Sequence, residues 1–559
     1  MSIVARKKKG LVLFFSFWAV LFFLIWRKIL VLEPNGLYAG WINVWGDWAA
    51  HLSYVGSFAY RNNWPPKMPL LVGAKFSYPF VANLIPAGLI RLGLGMVLAM
   101  LIPSFILSMT LVFVLWWLGK ELTKSVRVGK LTTMFFLLNG GLGFWWWIKD
   151  VINQGFFKVM SDLPQEYTHL ENVANIQWIN MITSQVIPQR GFLLGFTIAV
   201  VVYGLLWRYF SKGKVKALKI GGVITALLPL IHAHSFVVIC WVGFWLMVID
   251  VYNRVQPSLV KTRVNIPTLC RNLLRRLHPW VWFFAPIVII GLPQLVYFYN
   301  SSLSSSGFIR FKFGWMKYKD ESNFVWFWLK NLGLSLGLMI LGFFMAEKKL
   351  KWFSLPFWGL FVIANLWIFQ PWEWDNTKLL THWYLIASVL GAITINKWWK
   401  QKYKIAKGLV MIILGLTLLS GWLDVLRMMQ YKKRRIQFFG NDELKLAEWV
   451  KTSSEKDSVF LTSSNHDHWV PVLTGRQIVL GFKGWLWTYG MDYSKQEVAV
   501  RKIYEGDDEA GELIDLWGVD YAVVGPMEKG EFKKLDEEFF EDNFEVAFRD
   551  NFTKIYKLN

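Results

Sequence analysis

Apolar residues in this chain run in stretches too long for one stripe of a surface helix, and polar residues are confined to the gaps between them. A transmembrane helix needs roughly 17 to 25 mostly apolar residues. Candidate runs at 11–32, 97–118, 131–148, 191–209, 218–233, 235–252, 280–299, 323–345, 352–369, 383–396 and 406–428 predict about eleven spans. The segment 80–95, which contains Arg91, reads as a re-entrant or interfacial helix, because a hairpin there would invert every later loop. The middle of 218–252, Ile231-His232-Ala233-His234-Ser235, reads as an external turn. From Asp442 the pattern changes. An amphipathic helix (Leu444, Leu446, Ala447, Trp449, Val450) is followed by short strands such as Ser458-Val-Phe-Leu461 and Tyr521-Ala-Val-Val524. The expected fold class is an α-helical polytopic membrane protein: a transmembrane domain over 1–437 with a long first external loop at 33–96, then a small C-terminal α/β soluble domain over 438–559.

Composition agrees with a lipid environment. The chain has 559 residues, is 55% hydrophobic and carries 34 Trp, more apolar surface than one water-soluble core can hide. The net charge of +23 raises nucleic acid as a partner, but the Lys and Arg sit in short loops between apolar runs, where they act as topology signals. No nucleic-acid partner is expected. The loops Lys120 to Lys130, Arg208 to Lys219, Arg254 to Arg276, Lys348 to Lys351 and Lys397 to Lys407, with the basic Ala5-Arg6-Lys7-Lys8-Lys9, are assigned to the cytoplasm. The N-terminal run lacks a small-residue cleavage site and reads as an uncleaved first span. The external side then holds 33–96, 149–190, the turn near His234, 300–322, 370–382 and the C-terminal domain, in the plasma (inner) membrane of the cell. Tyr431-Lys432-Lys433-Arg434-Arg435 is basic yet falls outside. Cys240 and Cys270 form neither a disulfide framework nor a metal site, and the adjacent His466, Asp467 and His468 cannot all face one ion, so no metal ligands are assigned.

Three constellations on the external side carry candidate chemistry. In Trp45-Gly46-Asp47-Trp48-Ala49-Ala50-His51-Leu52-Ser53-Tyr54, helical spacing puts Asp47, His51, Tyr54 and Phe58 on one face beside an apolar stripe of Trp48, Leu52, Val55 and Ala59. Such a helix would lie along the membrane surface. A carboxylate and an imidazole one turn apart suit deprotonation or orientation of an acceptor, against the plainer reading of Asp47 as an N-cap and His51 as an interfacial side chain. In Val186-Ile187-Pro188-Gln189-Arg190-Gly191, a proline at the first helical position leaves Gln189 and Arg190 beside free backbone N–H groups, a site for an anion; the alternative is an Arg190 that only snorkels. In Gln370-Pro371-Trp372-Glu373-Trp374-Asp375-Asn376-Thr377-Lys378-Leu379-Leu380-Thr381-His382, Asp375 reads as the N-cap of the next span, with Lys378 and His382 one turn apart and able to meet a phosphate. His234 joins them if its turn is external. Together they suggest a cavity for an anionic, lipid-linked substrate.

At these residues the chain resembles the GT-C superfamily of membrane glycosyltransferases, which have many spans, an essential acidic residue on a juxtamembrane helix of the first external loop, and often a soluble C-terminal domain. Asp47 matches the place of that acid. Phe76-Ser-Tyr-Pro-Phe80, Leu138-Asn-Gly-Gly-Leu-Gly-Phe144 and Ile187-Pro-Gln-Arg-Gly-Phe192 look like segments of a poorly characterised prokaryotic group of this kind. Asp47 is followed by Trp48 where protein O-mannosyltransferases carry Asp-Glu, and Trp485-Leu-Trp-Thr-Tyr-Gly490 only distantly echoes the Trp-Trp-Asp-Tyr-Gly of oligosaccharyltransferases. The resemblance implies an inverting, hexosyltransferase-like enzyme that moves a sugar from a polyprenyl-phosphate-linked donor to a glycan, lipid or protein acceptor on the non-cytoplasmic face. Asp47, with His51, would be catalytic. Arg190, Gln189, Lys378, His382, His234 and Tyr54 would bind substrate. No cofactor is required, and a divalent cation is compatible with the scheme. Two other classes stay open. A transporter or lipid flippase would show two related halves and charges near the bilayer midplane. A non-catalytic cell-envelope assembly protein would keep its function in an Asp47→Asn variant.

Overall fold

The computed structural model describes residues 3–259, 266–303, 309–318 and 323–559. The expected basic loop Arg254 to Arg276 and the expected external loop 300–322 lie partly outside the described residues. The chain forms two compact units: Met1–Ile25 with Phe105–Val296 and Ser306–Lys433, and Trp26–Ser104 with Tyr297–Ser305 and Arg434–Asn559. These cut the chain differently from a boundary at 437/438, because the first loop belongs with the C-terminal segment.

The first unit is helical. Among the described residues, seven helices of the chain are long and apolar enough to cross a membrane: Lys8–Trp26, Met96–Thr123, Arg190–Lys212, Ala233–Asn253, Leu273–Phe298, Glu373–Trp399 and Lys404–Met429. Phe324–Leu332 and Leu334–Met345, bent by 99°, make an eighth if taken as one broken span. That is fewer than eleven, and the difference has a physical origin. Three expected spans are broken or shorter helices. The run 131–148 divides into Val126–Leu137 and Phe144–Gln154, 218–233 becomes the 12-residue helix Val215–Ala226, and 352–369 becomes the 17-residue Lys348–Ala364 with Pro356 inside it. The break in 131–148 falls on the Leu138–Phe144 glycine segment. A Cβ on Gly141 would lie 2.1 Å from the Lys330 carbonyl oxygen, and one on Gly143 1.6 Å from that of Tyr167, so only glycine allows these chains to cross.

The helix Thr377–Trp399 runs through the centre of this unit and is buried along its membrane-crossing length. Buried amides tie the loops on its flank. Asn331 accepts from the backbone N–H groups of Gln177 (2.6 Å) and Trp178 (2.8 Å), Asn139 accepts from Met181 (2.7 Å), and the Asp424 carboxylate accepts from the backbone of Tyr167 (2.6 Å) and Thr168 (2.9 Å).

The basic loops of this unit meet at one end. Arg208 and Lys212 pair with Glu121 at 3.1 and 2.9 Å, Lys349 donates to the Ser211 carbonyl at 3.0 Å, Lys397 donates to Met345 at 2.8 Å, and Arg127 lies over the Trp399 ring at 5.8 Å. Lys130 hydrogen bonds the Gly10 carbonyl, which brings the N-terminal segment there too. Four separate loops and the N-terminus thus share a face, as the positive-inside pattern requires. The basic cluster that broke the pattern is partly neutralised: Lys433 pairs with Asp162 at 3.3 Å, and Arg435 pairs with Glu33 while stacking on Tyr38 at 4.6 Å.

The second unit is mixed. Leu30–Glu33, Gly36–Ala39 and Ile436–Gly440 form a three-stranded antiparallel sheet, joining the first loop to the start of the C-terminal segment. A five-stranded sheet runs in the order Gln477–Ile478, Val459–Leu461, Tyr521–Val524, Lys554–Lys557, Glu545–Arg549, parallel over the first three strands and antiparallel after them. The helices Asn441–Ser453, Ser494–Tyr504 and Ala510–Trp517 bury Leu446, Ala447, Val450, Ala499, Val500, Ile503 and Ile514. Side chains stitch the first loop to this domain: Gln477 donates to the Met68 carbonyl (2.9 Å), Gln496 to that of Val72 (3.0 Å), and Arg61 pairs with Asp457 (3.1 Å).

Candidate active site

The sequence-derived candidates separate into one group in each unit. Asp47, His51 and Tyr54 lie on the helix Ile42–Gly56 of the second unit. Its N-cap is Trp41, so Asp47, five residues past the first helical position, is not a cap. The helix is also not a surface helix as its amphipathic pattern suggested. Trp48, Leu52, Val55 and Tyr54 are fully buried and His51 nearly so, because the polar face is covered by the rest of the first loop and by the C-terminal domain. Asp47 remains partly exposed.

His51 Nδ1 lies 3.1 Å from Asn83 Oδ1. An amide oxygen only accepts, so Nδ1 carries a proton here. The Tyr54 hydroxyl donates to Tyr489 at 3.3 Å, and burial holds its phenol far above the ordinary range, so it stays a neutral hydroxyl. Tyr78 closes the group, 6.0 Å from the His51 ring, 5.3 Å from Tyr54 and 5.0 Å from Tyr489. Asn83, Tyr78 and Tyr489 were not among the candidates. Two of the three lie in segments singled out by resemblance, 76–80 and 485–490, but nothing in their spacing ties them to His51. Close by, Trp45 Nε1 donates to Asp467 at 3.1 Å and its ring meets His466 at 4.2 Å, while His468 turns inward to Glu528 at 2.9 Å. Among the described residues no three His, Cys, Asp or Glu gather as metal ligands.

The second group is in the helical unit. Arg190 is the first helical residue of Arg190–Lys212, with Gln189 as N-cap, and it is 6% exposed. Pro188 is therefore not the first helical residue; a π turn, Ile182–Val186, precedes it and delays the helix. The helix start packs on the turn before Ala233–Leu259: a Cβ on Gly191 would touch the Ile231 carbonyl at 3.2 Å, and one on Gly195 would sit 2.2 Å from His232 Cβ. Asp375 does not cap the third helix. It lies in a 3₁₀ turn, Glu373–Asn376, and pairs with Lys378 at 3.1 Å. His234 Nε2 lies 2.9 Å from the Gln370 amide nitrogen, which donates to it. His232 and His234 rings are 5.3 Å apart, and the charge of Lys378 reaches both. His382 is fully buried between Tyr203 and Ser235 rather than turned to the same opening as Lys378. The starts of three helices, at Arg190, Ala233 and Thr377, thus lie at the end opposite the basic loops, and they bring together Arg190, Lys378 with its partner Asp375, His232 and His234.

No family model matches the chain, and no curated protein matches it by sequence. Solved structures do. ArnT from Cupriavidus metallidurans, in its crystal structure bound to undecaprenyl phosphate, is similar over 99% of this chain and 98% of its own, at a TM-score of 0.50 and 10% identity. The chain has the fold of the GT-C glycosyltransferases. The crystal structure of the Archaeoglobus fulgidus oligosaccharyltransferase with Zn and sulfate is similar over 91% of this chain and 67% of that one, at a TM-score of 0.50 and 11% identity. The GT-C fold accounts for the multi-pass helical architecture of the chain.

Proposed function

We propose that the chain is an inverting GT-C glycosyltransferase of the plasma membrane, which takes a sugar from a polyprenyl-phosphate-linked donor and passes it to an acceptor on the non-cytoplasmic face. The observation that carries this reading is the collection of Arg190, His234 and Lys378 at the end of the helical unit away from the basic loops. A lipid-linked phosphate keeps its tail in hydrocarbon and its charge at the interface, so its ligands belong at helix ends. That ArnT was solved with undecaprenyl phosphate supports the same class of donor.

In this reading Arg190, Lys378, Gln189 and His234 hold the donor phosphate and stabilise the charge it gains on leaving. His382 supports the site from within the helices. Asp47 takes the proton from the acceptor hydroxyl, whose oxygen attacks the anomeric carbon; one displacement inverts that centre and releases polyprenyl phosphate. His51, fixed by Asn83, and Tyr54 orient the acceptor. The scheme requires no cofactor, and a divalent cation is compatible with it. The C-terminal domain is extracytoplasmic.

A strain lacking the chain should accumulate a lipid-linked sugar and lose one envelope glycan, both seen by mass spectrometry. Complementation with the wild type should restore the glycan and Asp47→Asn should not. Full restoration by a folded Asp47→Asn would favour a non-catalytic assembly role.

A further inference from the structure

Beneath the proposed donor site, side chains from three helices, Tyr203, His382 and Ser235, and that of His232 in the turn before Ala233–Leu259 form a continuous hydrogen-bonded chain. The Tyr203 hydroxyl lies 2.7 Å from His382 Nδ1, His382 Nε2 lies 3.4 Å from Ser235 Oγ, and Ser235 Oγ lies 2.8 Å from His232 Nδ1. Ser235 also donates its backbone N–H to His232 Nδ1 at 3.3 Å. All four residues are buried, and His382, Tyr203 and Ser235 are 0% exposed. Only one arrangement of protons satisfies every link. The backbone N–H of Ser235 can only donate, so Nδ1 of His232 is the acceptor. The neutral phenol donates to Nδ1 of His382, which puts the His382 proton on Nε2, facing Ser235 Oγ. The serine then accepts from His382 and donates to His232. Every donor points from Tyr203 toward His232, and the chain ends on His232 Nε2–H. Among the described residues that atom has no hydrogen-bond acceptor.

Phe192, edge-on to His232 with ring centres 5.9 Å apart, and the close approach of Gly195 hold the ring in place. The charged and titratable groups within electrostatic reach are His234, Lys378 and His382 at His232, and Cys240 at Tyr203. A cation, Lys378 with its partner Asp375, and a second imidazole thus lie near the end of the chain.

We propose that His232 is a ligand of the donor phosphate, offering Nε2–H to it, and that Tyr203, His382 and Ser235 are positioning residues that lock His232 in this tautomer. This rests on the donor-site reading above and adds a neutral donor to its cations. A neutral imidazole gives the leaving phosphate a directed hydrogen bond without the desolvation cost of another buried charge. Ser235 is the member whose removal breaks the chain with least change in volume.

The test uses the full chain in lipid nanodiscs, labelled with 15N-histidine, with the His232 signals assigned by their loss in His232→Asn. The wild type should show His232 protonated at Nε2 alone. Ser235→Ala and Tyr203→Phe, with melting temperatures recorded as controls on folding, should give a mixture of tautomers, and Ser235→Thr should restore one. Binding of undecaprenyl phosphate, measured in parallel, should weaken roughly tenfold in Ser235→Ala and recover in Ser235→Thr. A wild-type His232 protonated at Nδ1, or a Ser235→Ala variant with unchanged tautomer and affinity, overturns the proposal. If the tautomers behave as expected but no variant, nor the wild type, binds undecaprenyl phosphate, the donor-site reading fails instead.

Discussion

At the residue scale the account separates charge that binds from charge that reacts. Lys378 is 3.1 Å from Asp375 and partly buried, so it is held at the helix end rather than free to snorkel. Lys378→Ala should lower donor affinity by about 1.5 to 3 kcal/mol, roughly ten- to a hundredfold, with little change in the rate at saturation. Isothermal titration with undecaprenyl phosphate measures the first and a single-turnover assay the second. A different residue makes the stability of the C-terminal segment depend on acid. Burial works against ionisation of Glu528, but the hydrogen bond and charge of His468 and the N–H of Ser463 outweigh it and hold the carboxyl below its usual value. A lowered folded-state value means a stabilising contribution that is complete above the unfolded value, roughly 4.3, and is lost as pH falls through the folded one. Glu528→Gln should therefore melt lower than the wild type at pH 7, with a smaller further loss below pH 4, in thermal melts of the full chain.

At the scale of the element, periodicity carried the helices and missed their breaks. The apolar runs over Arg190–Lys212, Met96–Thr123 and Lys404–Met429 were legible because length and apolarity coincide there. The run 131–148 was not, because its break is set by backbone carbonyls of Lys330 and Tyr167 that come from elsewhere in the chain. Asp47, His51 and Tyr54 were legible as one face of a helix. Their partners Asn83 and Tyr489 were not, since a face does not announce what covers it. Likewise Lys378 and His382 share a helix face by spacing, yet the packing of Tyr203 and Ser235 takes His382 into the interior. The crossing at the glycine segment gives a contrast in stability. Gly143→Ala should cost at least about 2 kcal/mol or abolish folded expression, because the opposing atoms are backbone. Gly415→Ala, where nothing lies within 4 Å, should leave yield and melting in detergent unchanged.

At the scale of the whole molecule, residues 26–104 and 434–559 belong to one compact unit. The basic loops gathered around Glu121, Ser211 and Met345 share one end of the helical unit, the end that the proposed orientation assigns to the cytoplasm. With Cys240 and Cys270 replaced, cysteines introduced at Asn35 and Asn465 should both react with an impermeant maleimide on intact cells, and one at Lys402 only after permeabilisation; labelling of Lys402 from outside would reverse the orientation. The most direct test of the central claim is transfer itself. Purified chain in nanodiscs, given a panel of undecaprenyl-phosphate sugars, should consume one donor and release undecaprenyl phosphate with inversion at the anomeric carbon once its acceptor, supplied as envelope extract, is present. Asp47→Asn should bind that donor as tightly as the wild type and leave it intact. Turnover by Asp47→Asn at the wild-type rate, or a wild type that binds the donor and never consumes it, would contradict the account.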